Sequence, residues 1–385
     1  MHSDNKTRSI LCSPSRTSRN IIFLLWPILG IIIANYAIEI SNGGNEWKTG
    51  DWLINYEAGI VRRGLLGQIF YTIAYFGINL KWLIFCSQSI IYISIYYLII
   101  KIYLLRQRDA AWFMFLYSPA FLIFSLLDLK GGFRKEIILF LSFSIFSYFY
   151  ATKKLNSKNI IIVYLIFVTA IFSHESTALA LPFYIYIFFN ASKFTIIKPR
   201  IAAFYSILFS LTAFAAIFFA MKFSGNEAIA KGICESLNLY EFSKNICSGA
   251  IDWLKFDAQY GRLQVSNLAE KYINVYPLYF LIAIIPVFLT TWINRFNFIF
   301  LIAAFLVFLP LYFVGIDWGR WIYIYVFLVF ALILSESILS NTEIIRIPNW
   351  GIFFYLTVWS LPHSYATRVT FGWFEKFWSI SSRLI

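Results

Sequence analysis

The sequence predicts an all-α, polytopic transmembrane bundle of about eleven spans, bounded at ten to twelve, and three observations predict it. Of 385 residues, 60% are apolar and 21% aromatic, while only 13% are charged; soluble domains carry about 25% charged residues. Apolar runs near the roughly 20 residues that cross a bilayer core recur from Ile21 to the C-terminal region. The loops between them are short and polar, and no soluble-sized block interrupts the series.

Residues 1–20 carry Lys6, Arg8, Arg16 and Arg19 ahead of the first apolar run. That pattern imitates a secretory leader, but the run is long and lacks a small-x-small cleavage site, so it reads as a basic cytoplasmic tail and a retained helix. Spans are expected at 21–38, 82–100, 110–127, 137–151, 159–173, 177–191, 201–221, 277–293, 298–314, 321–339 and 350–362. The stretch 65–80 is assigned to an interfacial or re-entrant helix. As a span it would place Lys101, Arg106 and Arg108 outside, against the excess of basic residues in cytoplasmic loops. Residues 222–276 form the one long outer loop, with amphipathic pieces such as Ala250–Phe256, and serve either as a substrate-shaping lid or as a structural cap. The membrane domain therefore takes residues 21–365, and 366–385 form a C-terminal tail.

The net charge of +13 is spread through the loops and forms no nucleic-acid-binding motif, which leaves lipid headgroups and anionic substrates as partners. No P-loop, dinucleotide fingerprint, H-E-x-x-H or paired Cys/His motif occurs, so no cofactor and no metal are expected. Cys234 and Cys247 share the long loop, as a disulfide if it lies in an oxidising compartment or as two free thiols.

With the N-terminus inside, the inner loops are short and basic, and each outer loop carries a compact mixed cluster. The first cluster, G-D-W-L-I-N-Y-E-A-G-I-V-R-R-G-L-L-G-Q, sets Asp51, Glu57, Arg62 and Arg63 among glycines 59, 64 and 67. A short helix from Asp51 to Gly59 would project Asp51 and Asn55 together. Paired arginines hold phosphate through forked, charge-assisted bonds, though headgroup anchoring explains Arg62 and Arg63 equally well. The second cluster, Asp128-Leu-Lys-Gly-Gly-Phe-Arg-Lys-Glu136, runs Arg134, Lys135 and Glu136 straight into an apolar helix, as an anion-binding turn or a self-paired loop. The third, Ser173-His-Glu-Ser-Thr177, offers His174 and Glu175 as acid-base or capping groups between two very apolar spans. In the fourth, Gly315-Ile-Asp-Trp-Gly-Arg-Trp321, Asp317 and Arg320 stand three apart, as an ion pair or with Arg320 free for phosphate. His363 and Arg368 form a weaker last cluster.

The string D-W-x-x-x-Y-x-x-G-x-x-R-R-G-x-x-G, followed by R-K-E, H-E-S and D-W-G-R, resembles the bacterial polysaccharide polymerases of the O-antigen polymerase (Wzy) and EpsG-like type, within the membrane glycosyltransferases of GT-C arrangement. The chain departs from the paired R-x10-G loops of some of these polymerases, since neither Arg62 nor Arg134 has a glycine eleven positions on. The resemblance implies transfer of a growing glycan from a polyprenyl diphosphate onto another lipid-linked repeat unit, at the outer face of the bacterial inner membrane. It implies a polyprenyl-diphosphate-linked oligosaccharide and a polysaccharide chain-length regulator as partners. Arg62, Arg63, Arg134 and Arg320 would hold the diphosphate together with Lys135, Glu136 and Asp317 would orient their neighbouring cations, and Asp51, Glu57, His174 and Glu175 would supply acid-base or sugar contacts. Trp47, Trp52, Trp318 and Trp321 would stack on sugars or anchor the interface. Two further readings stay open: a transferase adding one sugar from a lipid-phosphate donor, and a flippase or transporter for lipid-linked sugar. A structural scaffold would have no use for these repeated clusters.

Overall fold

A computed structural model describes residues 16–366 and 368–375. Most of the basic tail at 1–20, and most of the tail at 366–385, lie outside them. The described residues are helical, with no strand beyond two isolated bridges. After a lead-in at Arg16–Phe23, twelve helices carry the fold: α1 (Leu25–Ser41), α2 (Gly64–Tyr75), α3 (Leu80–Leu104), α4 (Glu136–Ala151), α5 (Ser157–Ser173), α6 (Leu181–Lys193), α7 (Pro199–Lys222), α8 (Glu227–Ser236), α9 (Ala258–Phe288), α10 (Arg295–Phe308), α11 (Trp318–Ser340) and α12 (Asn349–Thr357).

Among the described residues six helical stretches are long and apolar enough to cross a membrane: Asn20–Ser41, α3, α7, α9, Arg295–Val314 and α11. At 1.5 Å per residue α4 and α5 reach about 25 Å, a little less than the roughly 30 Å hydrocarbon core, and α2 about 18 Å. Five of the six long stretches turn many apolar side chains outward, as a lipid-facing surface requires. The exception is α11, buried without a break from Gly319 to Ser337 and hydrophobic on every face from Trp321 to Leu334. It is the axis of the bundle, with α3, α4, α6, α9 and α10 packed around it.

Two expectations from the sequence need correction. Residues 110–127 do not form a helix. Ser118-Pro119 interrupts them, because proline lacks the N–H that a helix interior needs and restrains the residue before it. The segment comprises a 3-10 turn and two single helical turns, Phe113–Leu116 and Phe124–Leu127. It still runs antiparallel to α11, since Phe115 meets Phe330, Phe121 meets Phe327, and Phe124 stacks on Tyr323 at 3.9 Å. Irregular backbone is tolerated at membrane depth only where protein buries it, and nearly every residue from Ala111 to Leu126 is buried. Likewise, 222–276 is not one loop. It contains α8, and the Asp257 side chain accepts from Tyr260 N to start α9 at Ala258, ahead of the expected span at 277–293.

The helix ends sort into two groups. At one end Arg106 donates to the carbonyls of Ser337 and Thr342, and Arg108 to that of Leu334, so guanidinium groups satisfy the last turn of α11. The basic stretches 101–108, 153–158 and 193–200 belong to helix ends on this side. The opposite end gathers the loop after α1, the starts of α3, α4 and α11, the end of α5 and the segment 223–257.

At that end two glycines of the first cluster are fixed by packing. A Cβ on Gly64 would meet the Tyr56 ring at 2.2 Å, and one on Gly67 would meet the Ile54 carbonyl oxygen at 1.9 Å. The backbone at 54 cannot swing aside as a side chain would. Gly67→Ala is therefore expected to destabilise by about 1–3 kcal/mol or more, read as a lower melting temperature in detergent; wild-type melting would contradict this contact.

Candidate functional site

The clusters expected on alternate loops converge at this end. Two short connections stitch them: the Gln88 amide donates to the carbonyls of Lys48 and Phe133, at 3.1 and 2.8 Å, and the Trp52 indole to that of Phe133, at 3.0 Å. These bonds hold Asp51 beside Arg134, Lys135 and Glu136. Arg63 adopts a left-handed conformation, φ 68°, that ends one turn and starts α2. The start of α11 arrives from the other side, where Gly319 N and Arg320 N both donate to His363 O. A Cβ on Gly319 would lie 1.8 Å from the Pro362 carbonyl, so only glycine lets this approach happen.

Most of the charges are anchored. Glu175 takes Arg63 in a fork, Nε to Oε2 at 2.9 Å and Nη2 to Oε1 at 2.6 Å, with Arg62 Nη1 3.6 Å away. Lys135 Nζ donates to Arg63 O at 2.7 Å and stands 3.9 Å from Asp51 Oδ1. Arg320 is held on three sides: Asp317 at 2.9 Å, Glu136 at 3.2 Å and His174 Nε2 at 3.3 Å. Arginine can only donate, so Nε2 meets it with a lone pair, and the proton sits on Nδ1, 2.6 Å from Ser176 Oγ. Burial, then Arg63, pushes the His174 imidazole down to about 3, which keeps this tautomer neutral.

Arg134 is different. It is buried, 5% exposed, and makes no hydrogen bond or ion pair among the described residues. The Trp47 ring covers its guanidinium at 4.9 Å. Burial, then the neighbouring Arg320, lowers it to about 10, so it remains charged at neutral pH. Close by, Asp51 Oδ1 and both Glu136 oxygens are buried without a hydrogen bond, held only through the ion pairs of Asp51 with Lys135 and of Glu136 with Arg320. Burial alone would raise the Asp51 carboxyl; Lys135 leads the opposing charges that hold it below its usual range. A buried guanidinium without a hydrogen bond, beside carboxylates held only through ion pairs, leaves hydrogen-bonding capacity unused.

No protein-family model, curated protein or solved structure matches the chain. The reading of the site therefore rests on its geometry.

Ten of the eleven predicted site residues meet here, and Glu57 does not. It is exposed and accepts from Gln68 Nε2 at 2.9 Å, because the helix expected from Asp51 to Gly59 stops at Leu53. For the same reason Asn55 leaves Asp51 and turns to Ser236. His174 and Glu175, expected as acid-base groups, are occupied in holding Arg320 and Arg63. Trp52 is fully buried and unavailable for stacking. The sequence did not point to Trp47 as the cover of Arg134. Nor did it pair Asp128 with His363, whose N and Nδ1 both reach Asp128 Oδ2, at 2.6 and 2.8 Å, across 235 positions. Cys234 and Cys247 form a disulfide. Among the described residues no group of three or more His, Cys, Asp and Glu is placed to hold a metal ion.

The cluster opens to solvent only at Arg62, Arg63, Glu175 and Asp317, each about a fifth exposed. Two open, mainly apolar surface grooves, of about 710 and 440 Å³, lie elsewhere, between α9 and α10 and among α1, α3 and α4. Volume does not mark the chemistry in this molecule.

Burial pushes the Lys135 ammonium down from 10.5 to about 8. Its charge is therefore lost as pH rises through 8, and affinity for inorganic diphosphate is expected to fall across that step. Lys135→Met should bind more weakly below pH 8, lack the step and approach the wild type above it, as calorimetric titration from pH 6 to 9 would reveal. The stability sign is opposite. Between about pH 8 and 10.5 the unfolded chain binds more protons at this site than the folded one, so this group adds stability as pH rises.

Proposed function

We propose that the chain is a membrane glycosyltransferase that polymerises polyprenyl-diphosphate-linked oligosaccharide repeat units into surface polysaccharide at the outer face of the bacterial inner membrane. The observation that carries this reading is Arg134, the buried guanidinium left unpaired while the surrounding cations are anchored. It receives the diphosphate, and Arg62, Arg63, Lys135 and Arg320 share the charge that develops as diphosphate leaves; prearranged cations in a partly dry site stabilise such charge strongly. Asp51, whose Oδ1 accepts no hydrogen bond, takes the proton of the acceptor hydroxyl. The acceptor's hydroxyl oxygen attacks the anomeric carbon, the bond to diphosphate breaks, and its electron pair leaves with the diphosphate. Glu136, Asp317 and His174 position Arg320, and Glu175 positions Arg63.

Eleven passes fit this reading: the six long stretches, α4, α5, α6, the irregular segment 110–127 and the α12 segment. The basic end then faces the cytoplasm with the N-terminus, and the disulfide lies in the oxidising compartment, where such bonds persist. A flippase is disfavoured because these ionisable residues cluster at helix ends, whereas transport sites lie near the bilayer midplane.

Gel analysis of surface glycan from a deletion strain tests the proposal. The expected product is a single repeat unit. A truncated repeat would favour a single-sugar transferase, repeats retained on the inner face would favour a flippase, and normal polymer would overturn all three.

A further inference from the structure

Four aromatic rings form a row that starts at the charged cluster and runs outward. Trp47, which covers Arg134, lies 6.0 Å from Trp253; Trp253 lies 5.7 Å from both Phe256 and Tyr260, and those two stack at 4.0 Å. All four rings are partly exposed. The row is held firmly. Ala250 N donates to Glu46 O at 3.0 Å, Ser243 N donates to Gly43 O at 2.9 Å, and the Cys234–Cys247 disulfide ties down the chain shortly before Trp253. Along its rim Asp252 and Lys255 form an exposed ion pair at 2.8 Å.

Aromatic anchors of a membrane interface need only reach the headgroup layer and have no need of one another. These rings contact one another, Trp47 meeting Trp253 and Trp253 meeting both Phe256 and Tyr260, and they begin on a buried cation. Partly open ring faces offer apolar, weakly electronegative surfaces to the C–H faces of pyranoses, and a polar rim supplies partners for their hydroxyls. We propose that the row is a glycan-binding track, on which successive sugars of a chain extending from the Arg134 site stack against Trp47, Trp253 and Tyr260. The proposal rests on the diphosphate reading only for where the chain begins.

The test uses the full chain in nanodiscs, titrated calorimetrically with soluble α- and β-linked hexasaccharides of glucose and mannose, and in parallel with inorganic diphosphate. At least one hexasaccharide is expected to bind. Trp253→Ala should weaken it by about tenfold, Trp253→Phe should retain most of the affinity because the ring remains, and both variants should bind diphosphate as wild type does. Unchanged hexasaccharide binding in Trp253→Ala, equal losses in both variants, or no binding of any hexasaccharide would overturn the track. Diphosphate that fails to bind, or binds equally well to Arg134→Met, would strike the diphosphate reading and leave the track standing wherever hexasaccharide binding depends on the ring at 253.

Discussion

Arg134→Met is expected to abolish polymer while leaving the protein at least as stable as wild type. A preorganised group that stabilises developing charge contributes about 10²–10³ in rate, so long glycan should vanish and lipid-linked single repeats accumulate. A guanidinium that is 5% exposed and unpaired is a charge held in the fold without compensation. Methionine follows the same path under Trp47 without that penalty, so the melting temperature in detergent should hold or rise. Stability surrendered for activity is the signature of a functional group. Normal polymer length in this variant would sink the polymerase reading, and a large loss of stability would mean that Arg134 is structural.

Glu175→Ala should do the reverse. It removes the carboxylate that Arg63 grips with two bonds and Arg62 approaches, leaving two cations close together without a counter-charge. Breaking a buried pair from one side costs about 3–5 kcal/mol; here about a fifth of each side chain stays open to solvent, so the lower end of that range is expected. Arg63→Met/Glu175→Leu should recover most of the melting temperature without recovering activity, because replacing both partners with apolar groups removes the uncompensated charge. If Glu175→Ala melts as wild type and instead alters the pH profile of turnover, Glu175 is an acid-base group after all.

These opposite outcomes separate what was legible in the sequence from what was not. Loop clusters such as R-R-G, R-K-E, H-E-S and D-W-G-R stood out because ionisable residues between very apolar runs are expensive, and hydropathy placed them on alternate loops. Their convergence is seen in the ion pairs that join them, Arg63 with Glu175 and Arg320 with Glu136. Which cation is free is a different kind of fact. Arg134 and Lys135 are neighbours in sequence, yet Lys135 finds Arg63 O while Arg134 finds only Trp47, and that difference depends on bonds from Gln88 and Trp52. Spacing revealed the Asp317–Arg320 pair, three apart on one helix. It could not reveal Asp128–His363. Hydropathy likewise marked 110–127 as apolar without telling that Ser118-Pro119 denies it a helix.

That irregular segment also constrains how the molecule is made. A helix can leave the insertion machinery alone, since its backbone is satisfied from within. On the eleven-pass proposal the chain at 110–127 cannot, and the wall that shields it, α11, is synthesised some two hundred residues later. Assembly is therefore not a simple march from first pass to last. An early piece must wait, sheltered, until a late one arrives to close over it.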